Sequence, residues 1–132
     1  MWFILDTQKR CFTNDNIWSI ELSEARLFTS KEEALAYVTN GIKADQSADP
    51  PRYPSFVGCR VVNLITYVAE LLARKGLDVT PDHDVACIYL NVDSKDLKEL
   101  GRTLPRSMGI VQFKLRTKHN HRVHAWPEVD NP

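Results

Sequence analysis

The sequence has little of the material from which short functional motifs are built. It holds only five glycines in 132 residues, and it contains no P-loop, dinucleotide-binding glycine pattern, nucleophile elbow or zinc-finger spacing. Its three cysteines, Cys11, Cys59 and Cys87, are too few and too scattered for a disulfide framework. These absences argue against a disulfide-stapled protein and against the enzyme classes that a short motif identifies. We therefore expect a protein that is not an enzyme and that binds no cofactor.

Long apolar runs are missing as well. No stretch approaches the roughly 20 apolar residues that a helix needs to cross a bilayer. Residues 1–6 have neither the basic start nor the long apolar core of a cleaved signal. The composition, 43% hydrophobic and 26% charged, is that of an ordinary globular domain. We expect a cytoplasmic protein with reduced thiols and no membrane contact.

The chain has no excess of one charge, because 17 Lys and Arg balance 17 Asp and Glu. This balance conceals two segments of opposite sign. Residues 77–100 hold six acids and two lysines, a net of −4, whereas residues 101–126 hold six cations and no acid, a net of +6. Such a change of sign marks either a surface for a charged partner or two segments that lie side by side and neutralise each other.

The first 41 residues predict short strands followed by a helix. Residues 2–5 and 10–13 have the pattern of strands, and residues 17–20 alternate again after a turn rich in Asn and Asp. Ser30 followed by Glu33 is a capping box, which predicts the start of a helix. Asn40 and Gly41 suit a left-handed C-cap, which predicts its end.

The rest of the chain predicts a loop, two helices and three strands. Three prolines in residues 43–54 exclude a helix or a central strand there. Apolar residues recur at helical spacing over 61–72, and residues 85–92 read as an interior strand. A short helix containing Leu97 and Leu100 precedes two strands, which run from 109 to 118 and from 122 to 126.

This order, ββα-αβαββ, predicts an α+β fold. We expect a mainly antiparallel sheet with two principal helices and one short helix. A single domain over residues 1–132 is the favoured organisation. The alternative is a pair of sub-lobes, 1–42 and 55–132, joined by the Pro-rich loop 43–54.

The basic C-terminal hairpin supplies the predicted binding site. Its residues are Lys114, Arg116, Lys118, Arg122, His124 and Trp126. Along 111–118 the cations alternate with apolar residues, so that one strand face is basic. A three-residue loop, 119–121, pairs Lys118 with Arg122 and extends this basic surface through Trp126. A two-residue loop, 120–121, pairs His119 with Arg122 and turns Trp126 to the core side, so the register decides the chemistry.

The histidines and Cys59 are further candidates for chemistry. His119, His121 and His124, together with residues 82–84, are a conceivable set of transition-metal ligands for a metal-dependent hydrolase. Because a turn interrupts their spacing and no cysteine pair supports it, we expect no metal site. Cys59 is predicted at the start of the long helix, where the helix dipole would lower the pKa of its thiol.

Residues 18–34 are similar to a pattern found in small phage and mobile-element proteins. In that pattern a short hairpin precedes a helix start of the form Ala-x-x-Phe-x-Ser-x-Glu-Glu-Ala, which residues 25–34 match. The resemblance covers residues 1–41 and implies a ββα module without any catalytic motif. Some of these proteins resemble inhibitors of host defence that act by occupying a surface.

The leading hypothesis is therefore a small non-catalytic binding protein. A phage or mobile-element protein would dock through the basic hairpin on a host protein or ribonucleoprotein complex in the host cytoplasm, as an anti-CRISPR-like inhibitor does. The second hypothesis is a single-stranded nucleic-acid-binding module, in which the cations hold phosphates and Trp126 stacks on a base. Cations on a solvated sheet face are also ordinary, and this third interpretation stays open.

Overall fold

The computed structural model describes residues 1–51 and 55–126. The chain divides into two compact units, residues 1–64 and residues 65 onward. Among the described residues there are three α-helices and mainly antiparallel strands, so the predicted α+β class is confirmed. The division falls after Leu64, whereas the alternative of two sub-lobes placed it in the loop 43–54. None of the described helices is long and apolar enough to cross a membrane.

The first unit contains a four-stranded antiparallel sheet. Its strands are β1 (Trp2–Leu5), β2 (Cys11–Phe12), β3 (Trp18–Ser19) and β4 (Arg60–Asn63), in the order β3-β2-β1-β4. Phe3, Ile4 and Leu5 are consecutive and all buried, so both faces of β1 are covered. β4 occupies residues that helical spacing had assigned to the long helix. Val61 and Val62 instead pair with Ile4 and Phe3, as the strand preference of β-branched residues favours.

The turn between β1 and β2 is built around the carboxylate of Asp6. Its Oδ1 accepts hydrogen bonds from the backbone N–H groups of Gln8 (2.9 Å) and Arg10 (2.7 Å), and its Oδ2 accepts one from Arg10 Nε at 2.7 Å. Burial acts to raise the pKa of Asp6. The hydrogen bonds from Arg10 and Gln8 outweigh burial and leave the pKa of Asp6 below its ordinary value.

Asp6→Asn is expected to lower the free energy of unfolding by about 1–2 kcal/mol near neutral pH, because the amide loses the charge that these donors face. Since the pKa of Asp6 is depressed in the fold, its contribution is complete above the ordinary carboxyl pKa of about 3.9 and is lost as the pH falls through the lower folded value. Urea unfolding of wild type and variant at a series of pH values measures this difference. It should be constant above about pH 5 and shrink below about pH 4; a difference that grows on acidification would contradict the assignment.

Helix α1 (Lys31–Gln46) begins where the sequence predicts. Ser30 is the N-cap, and its Oγ accepts a hydrogen bond from the backbone N–H of Glu33 at 3.1 Å. The second half of the capping box differs from the expectation. The Glu33 carboxylate accepts a hydrogen bond from the hydroxyl of Thr29 at 2.8 Å. Its partner is therefore the side chain of the residue before the N-cap, and not the backbone N–H of Ser30.

The end of α1 differs from the prediction. The helix runs through Gly41 and continues to Gln46, so part of the predicted loop 43–54 is helical. Gly41 is needed for a close contact and not for a left-handed cap, because a Cβ at this position would lie 2.5 Å from the ring of Phe56. The C-cap of the helix is Ser47, in right-handed helical conformation.

The second unit contains the remaining described helices and strands. They are α2 (Leu64–Arg74), β5 (Val79–Asp82), β6 (Cys87–Val92), α3 (Leu97–Thr103), β7 (Ser107–Met108), β8 (Val111–Thr117) and β9 (Val123–His124). Helix α2 begins at Leu64, the last residue of the first unit. The sheet order is β5-β6-β8, and both β7 and β9 pair with β8. β6 and β8 are parallel, with α3 in the connection between them. β5 was not predicted because it contains Pro81, which a strand tolerates at the edge of a sheet.

The turn between β8 and β9 follows neither predicted loop length. Arg116 pairs with Val123 and Leu115 pairs with His124, which leaves residues 118–121 in a four-residue turn. Asn120 fixes this turn, because its Oδ1 accepts hydrogen bonds from the Thr117 hydroxyl and from the backbone N–H of Arg122. The register therefore differs from both alternatives.

Candidate binding face on the C-terminal sheet

The side of the second sheet that faces away from its buried residues carries a polar and basic surface. We call this surface the outer face. It consists of Thr80 on β5, Tyr89 and Asn91 on β6, and Lys114 and Arg116 on β8. The pairing of the strands places Thr80 beside Tyr89, Tyr89 beside Lys114, and Asn91 beside Arg116. On β8 the exposed Lys114 alternates with the buried Phe113 and Leu115, which confirms the predicted alternation of that strand.

Arg116 is held in place by uncharged neighbours. Its Nε donates a hydrogen bond to Asn91 Oδ1 at 2.8 Å, and its Nη2 donates one to Thr80 Oγ1 at 3.1 Å. The guanidinium carbon lies 4.4 Å from the centre of the Tyr89 ring, a cation–π contact. Because hydrogen-bond acceptors of this kind carry no net charge, they orient the guanidinium without neutralising it.

Lys118 is the one predicted site cation with an acidic neighbour among the residues that the structure describes. Its Nζ lies 4.0 Å from Asp78 Oδ2, and both side chains are about half exposed. Such an exposed pair contributes little to stability. Lys114 has no acidic partner within residues 1–51 and 55–126. Among the described residues the acidic segment therefore pairs directly with Lys118 and with neither Lys114 nor Arg116.

The remaining predicted site residues do not lie on the outer face. In the observed register Arg122 is opposite Thr117 and His124 is opposite the buried Leu115. The indole N–H of Trp126 donates a hydrogen bond to the carbonyl oxygen of Phe113 at 3.1 Å. The continuous basic and aromatic surface of the three-residue loop is thus not formed. Trp126 lies on the core side, as the two-residue alternative predicted for a different register.

Tyr89, Asn91 and Thr80 belong to the outer face but were not predicted. A Tyr and an Asn two residues apart in the otherwise apolar run 85–92 were the available signal, since residues at this spacing share a strand face. The signal could not be connected to Lys114 and Arg116 without the parallel pairing of β6 and β8. The burial pattern of β6 agrees with this shared face, since Tyr89 and Asn91 are its two partly exposed residues.

The candidate metal ligands, His119, His121, His124 and residues 82–84, are not brought together as a metal site among the described residues. Within the described part of the chain, no three His, Cys, Asp or Glu side chains are grouped so that they could hold a metal ion. Asp82 ends β5, and its Oδ1 accepts a hydrogen bond from the backbone N–H of Asp84 at 3.0 Å. This contact stabilises the start of the turn that follows β5.

The thiols are placed for packing. Cys59 precedes β4 and does not lie at the start of a helix, which corrects the prediction from the sequence. Burial, followed by the charge of Asp6, raises the pKa of the Cys59 thiol. Burial also raises the pKa of Cys11, whose Sγ donates to the carbonyl oxygens of Ser19 and Glu21. Raised pKa values lower the thiolate fraction on which nucleophilic catalysis depends.

Comparisons of the chain with protein-family models, with curated proteins and with solved structures found no match. The inference of function therefore rests on the outer face itself. Its distinguishing property is an arginine oriented by uncharged hydrogen-bond partners, without a direct ion pair among the described residues, beside an exposed lysine.

Proposed function

We propose that this protein is a small non-catalytic binding protein that docks the outer face on an acidic protein surface. The partner is a host protein or ribonucleoprotein complex, and docking inhibits it by occupying that surface, as the phage-like resemblance of residues 1–41 implies for a defence inhibitor of the anti-CRISPR kind. The observation that carries this proposal is the fixed position of Arg116, which hydrogen bonds to Asn91 and Thr80 and lies over Tyr89. A preordered cation loses less side-chain entropy on binding than a mobile one.

The surroundings of Arg116 favour a protein partner over a stacked nucleic-acid base. Base stacking needs a free aromatic face, but Arg116 already lies against the ring of Tyr89. The indole of Trp126 is tied to Phe113 by its hydrogen bond. Val123, which pairs with Arg116 across β8 and β9, is apolar and 51% exposed. Arginine and tyrosine beside apolar surface are typical of protein interfaces.

The proposal predicts that reversing charge on the outer face abolishes partner capture. Lys114→Glu/Arg116→Glu is compared with Lys75→Glu/Lys98→Glu, a control in which two exposed lysines outside the outer face give the same change of net charge. Each protein is incubated with lysate of the cell in which the protein acts, with and without nuclease treatment. A protein retained by wild type and the control is then identified, purified and titrated calorimetrically. The outer-face variant should bind it at least about tenfold more weakly, a loss of about 1.4 kcal/mol.

A charge swap completes the test. Replacing the acidic residues of the partner's contact surface with lysine should restore binding to the outer-face variant, because the interaction depends on opposite charges. Equal capture by all three proteins contradicts the proposal. Capture that disappears with nuclease treatment and is weakened by Trp126→Ala would support the nucleic-acid hypothesis in its place.

A further inference from the structure

Arg116 uses one edge of its guanidinium within its own sheet. The donors on this edge, Nε and one N–H of Nη2, bond to Asn91 and Thr80. The guanidinium is a rigid planar fork of N–H donors and accepts no hydrogen bond. Its end, formed by Nη1 and the second N–H of Nη2, has no hydrogen-bond acceptor among the described residues. This end is the part of the side chain that a partner can use.

The orientation of the fork is fixed by a second set of contacts. Asn91 Nδ2 donates to Thr80 Oγ1 at 2.9 Å and to Asp78 Oδ1 at 3.1 Å. These bonds orient the amide so that its Oδ1 faces Arg116. Stacking on Tyr89 at 4.4 Å restricts rotation of the guanidinium plane. The result is a cation with a defined direction, on strands whose backbones are paired.

We infer that Arg116 is an oriented anchor for one carboxylate of the partner, bound at the end of the guanidinium by two parallel N–H···O bonds. Asn91 and Thr80 are positioning residues that act through Arg116. This inference rests on the proposed function and names the partner group that the outer face recognises. The exposed Val123 beside Arg116 favours an acidic side chain on a protein surface over a phosphate, because the neighbouring contact is apolar. Lys114 contributes positive charge to the outer face, but no contact among the described residues orients its ammonium group.

The first experiment separates geometry from charge. Fluorescein-labelled polyglutamate and a labelled oligothymidylate of similar charge are titrated against the full chain by fluorescence anisotropy. Arg116→Lys keeps the charge and removes the fork, so polyglutamate binding should weaken about tenfold. Arg74→Lys, the same exchange at an exposed position of α2 outside the outer face, is the matched control and should stay within about twofold of wild type.

The second experiment tests the positioning residues. Thr80→Val removes the acceptor for Nη2, and Thr80→Ser restores it, so affinity should fall several-fold in the first variant and recover in the second. Asn91→Ala should weaken binding by a similar factor in the wild-type background and should have no effect when Arg116 is Ala. A role of Asn91 in folding alone would lower affinity equally in both backgrounds.

The outcomes distinguish this inference from the proposed function. If Lys114→Glu/Arg116→Glu loses polyglutamate binding but Arg116→Lys equals wild type, the docking face stands and the oriented anchor is wrong. If the charge reversal changes nothing, or if wild type binds no polyglutamate at millimolar concentration, both are wrong. Tighter binding of oligothymidylate than of polyglutamate, lost in Arg116→Lys, would overturn the assignment of the anchor to a carboxylate.

Discussion

Gly41→Ala is expected to lower the free energy of unfolding by about 1–2 kcal/mol, although alanine is the better helix former. Exchange of glycine for alanine within a helix gains up to about 1 kcal/mol from propensity. Overpacking of a filled site costs about 1–3 kcal/mol. Overpacking should prevail because the new Cβ would lie 2.5 and 2.6 Å from two carbons of the Phe56 ring.

The ring of Phe56 is buried against three other aromatic rings, so displacing it carries a cost. It is 8% exposed and makes edge-to-face contacts with Phe12, Trp18 and Tyr37 at centroid distances of 5.0, 5.9 and 5.8 Å. Displacing it disturbs these aromatic pairs as well. Each such pair contributes about 0.5–1.5 kcal/mol beyond its buried area.

Two variants show whether the contact is the cause. Asn40→Ala, at an exposed position of the same helix, should be neutral or gain a few tenths of a kcal/mol. Phe56→Leu destabilises by itself, but Gly41→Ala should cost less in the Phe56→Leu background because the ring is gone. Urea unfolding of the four proteins gives this coupling energy. Wild-type stability in Gly41→Ala would mean that the ring moves freely.

Gly41 also illustrates what local sequence could and could not predict. The N-cap at Ser30 follows from side-chain chemistry within four residues, and it is confirmed. α1 instead continues through Gly41, where it contacts Phe56, a residue later in the chain whose contact forms only in the fold. Asn-Gly is a good terminator in isolation, and tertiary packing overrides it here. β4 is a similar case, since Val61 and Val62 fit helical spacing until β1 supplies a strand to pair with.

The candidate site was likewise predictable only where its pattern lies within a single strand. Alternation over residues 111–118 predicted the basic face of this strand, because that pattern depends on the strand alone. Its neighbours depend on which strand lies beside β8, and the parallel pairing with β6 leaves no short-range signal. The hairpin register depends on Asn120, whose side chain closes a four-residue turn. A shift of register by one residue moved Arg122 and Trp126 away from the face that Lys114 and Arg116 share.

Trp126→Ala is expected to lower the free energy of unfolding by about 2–3 kcal/mol, because it removes both aromatic packing and a hydrogen bond. This hydrogen bond supplies a donor to a backbone carbonyl of β8 that lies between its pairings with β7 and β9. β7 pairs with Val111 and Gln112, and the backbone N–H of Phe113 donates to the carbonyl oxygen of Arg106. β9 pairing begins at Leu115. The carbonyl of Phe113 lies between these pairings, and the indole N–H of Trp126 supplies its donor.

Trp126→Phe separates the bond from the packing. It keeps an aromatic ring and leaves the Phe113 carbonyl without its donor, so the expected loss is about 1 kcal/mol. Thermal and urea unfolding measure both variants, and a loss in Trp126→Phe as large as in Trp126→Ala would show that packing contributes little. Below their unfolding transitions, both variants should bind the partner of the outer face with wild-type affinity. A large loss of affinity in folded Trp126→Ala would instead place Trp126 in the binding site and favour base stacking.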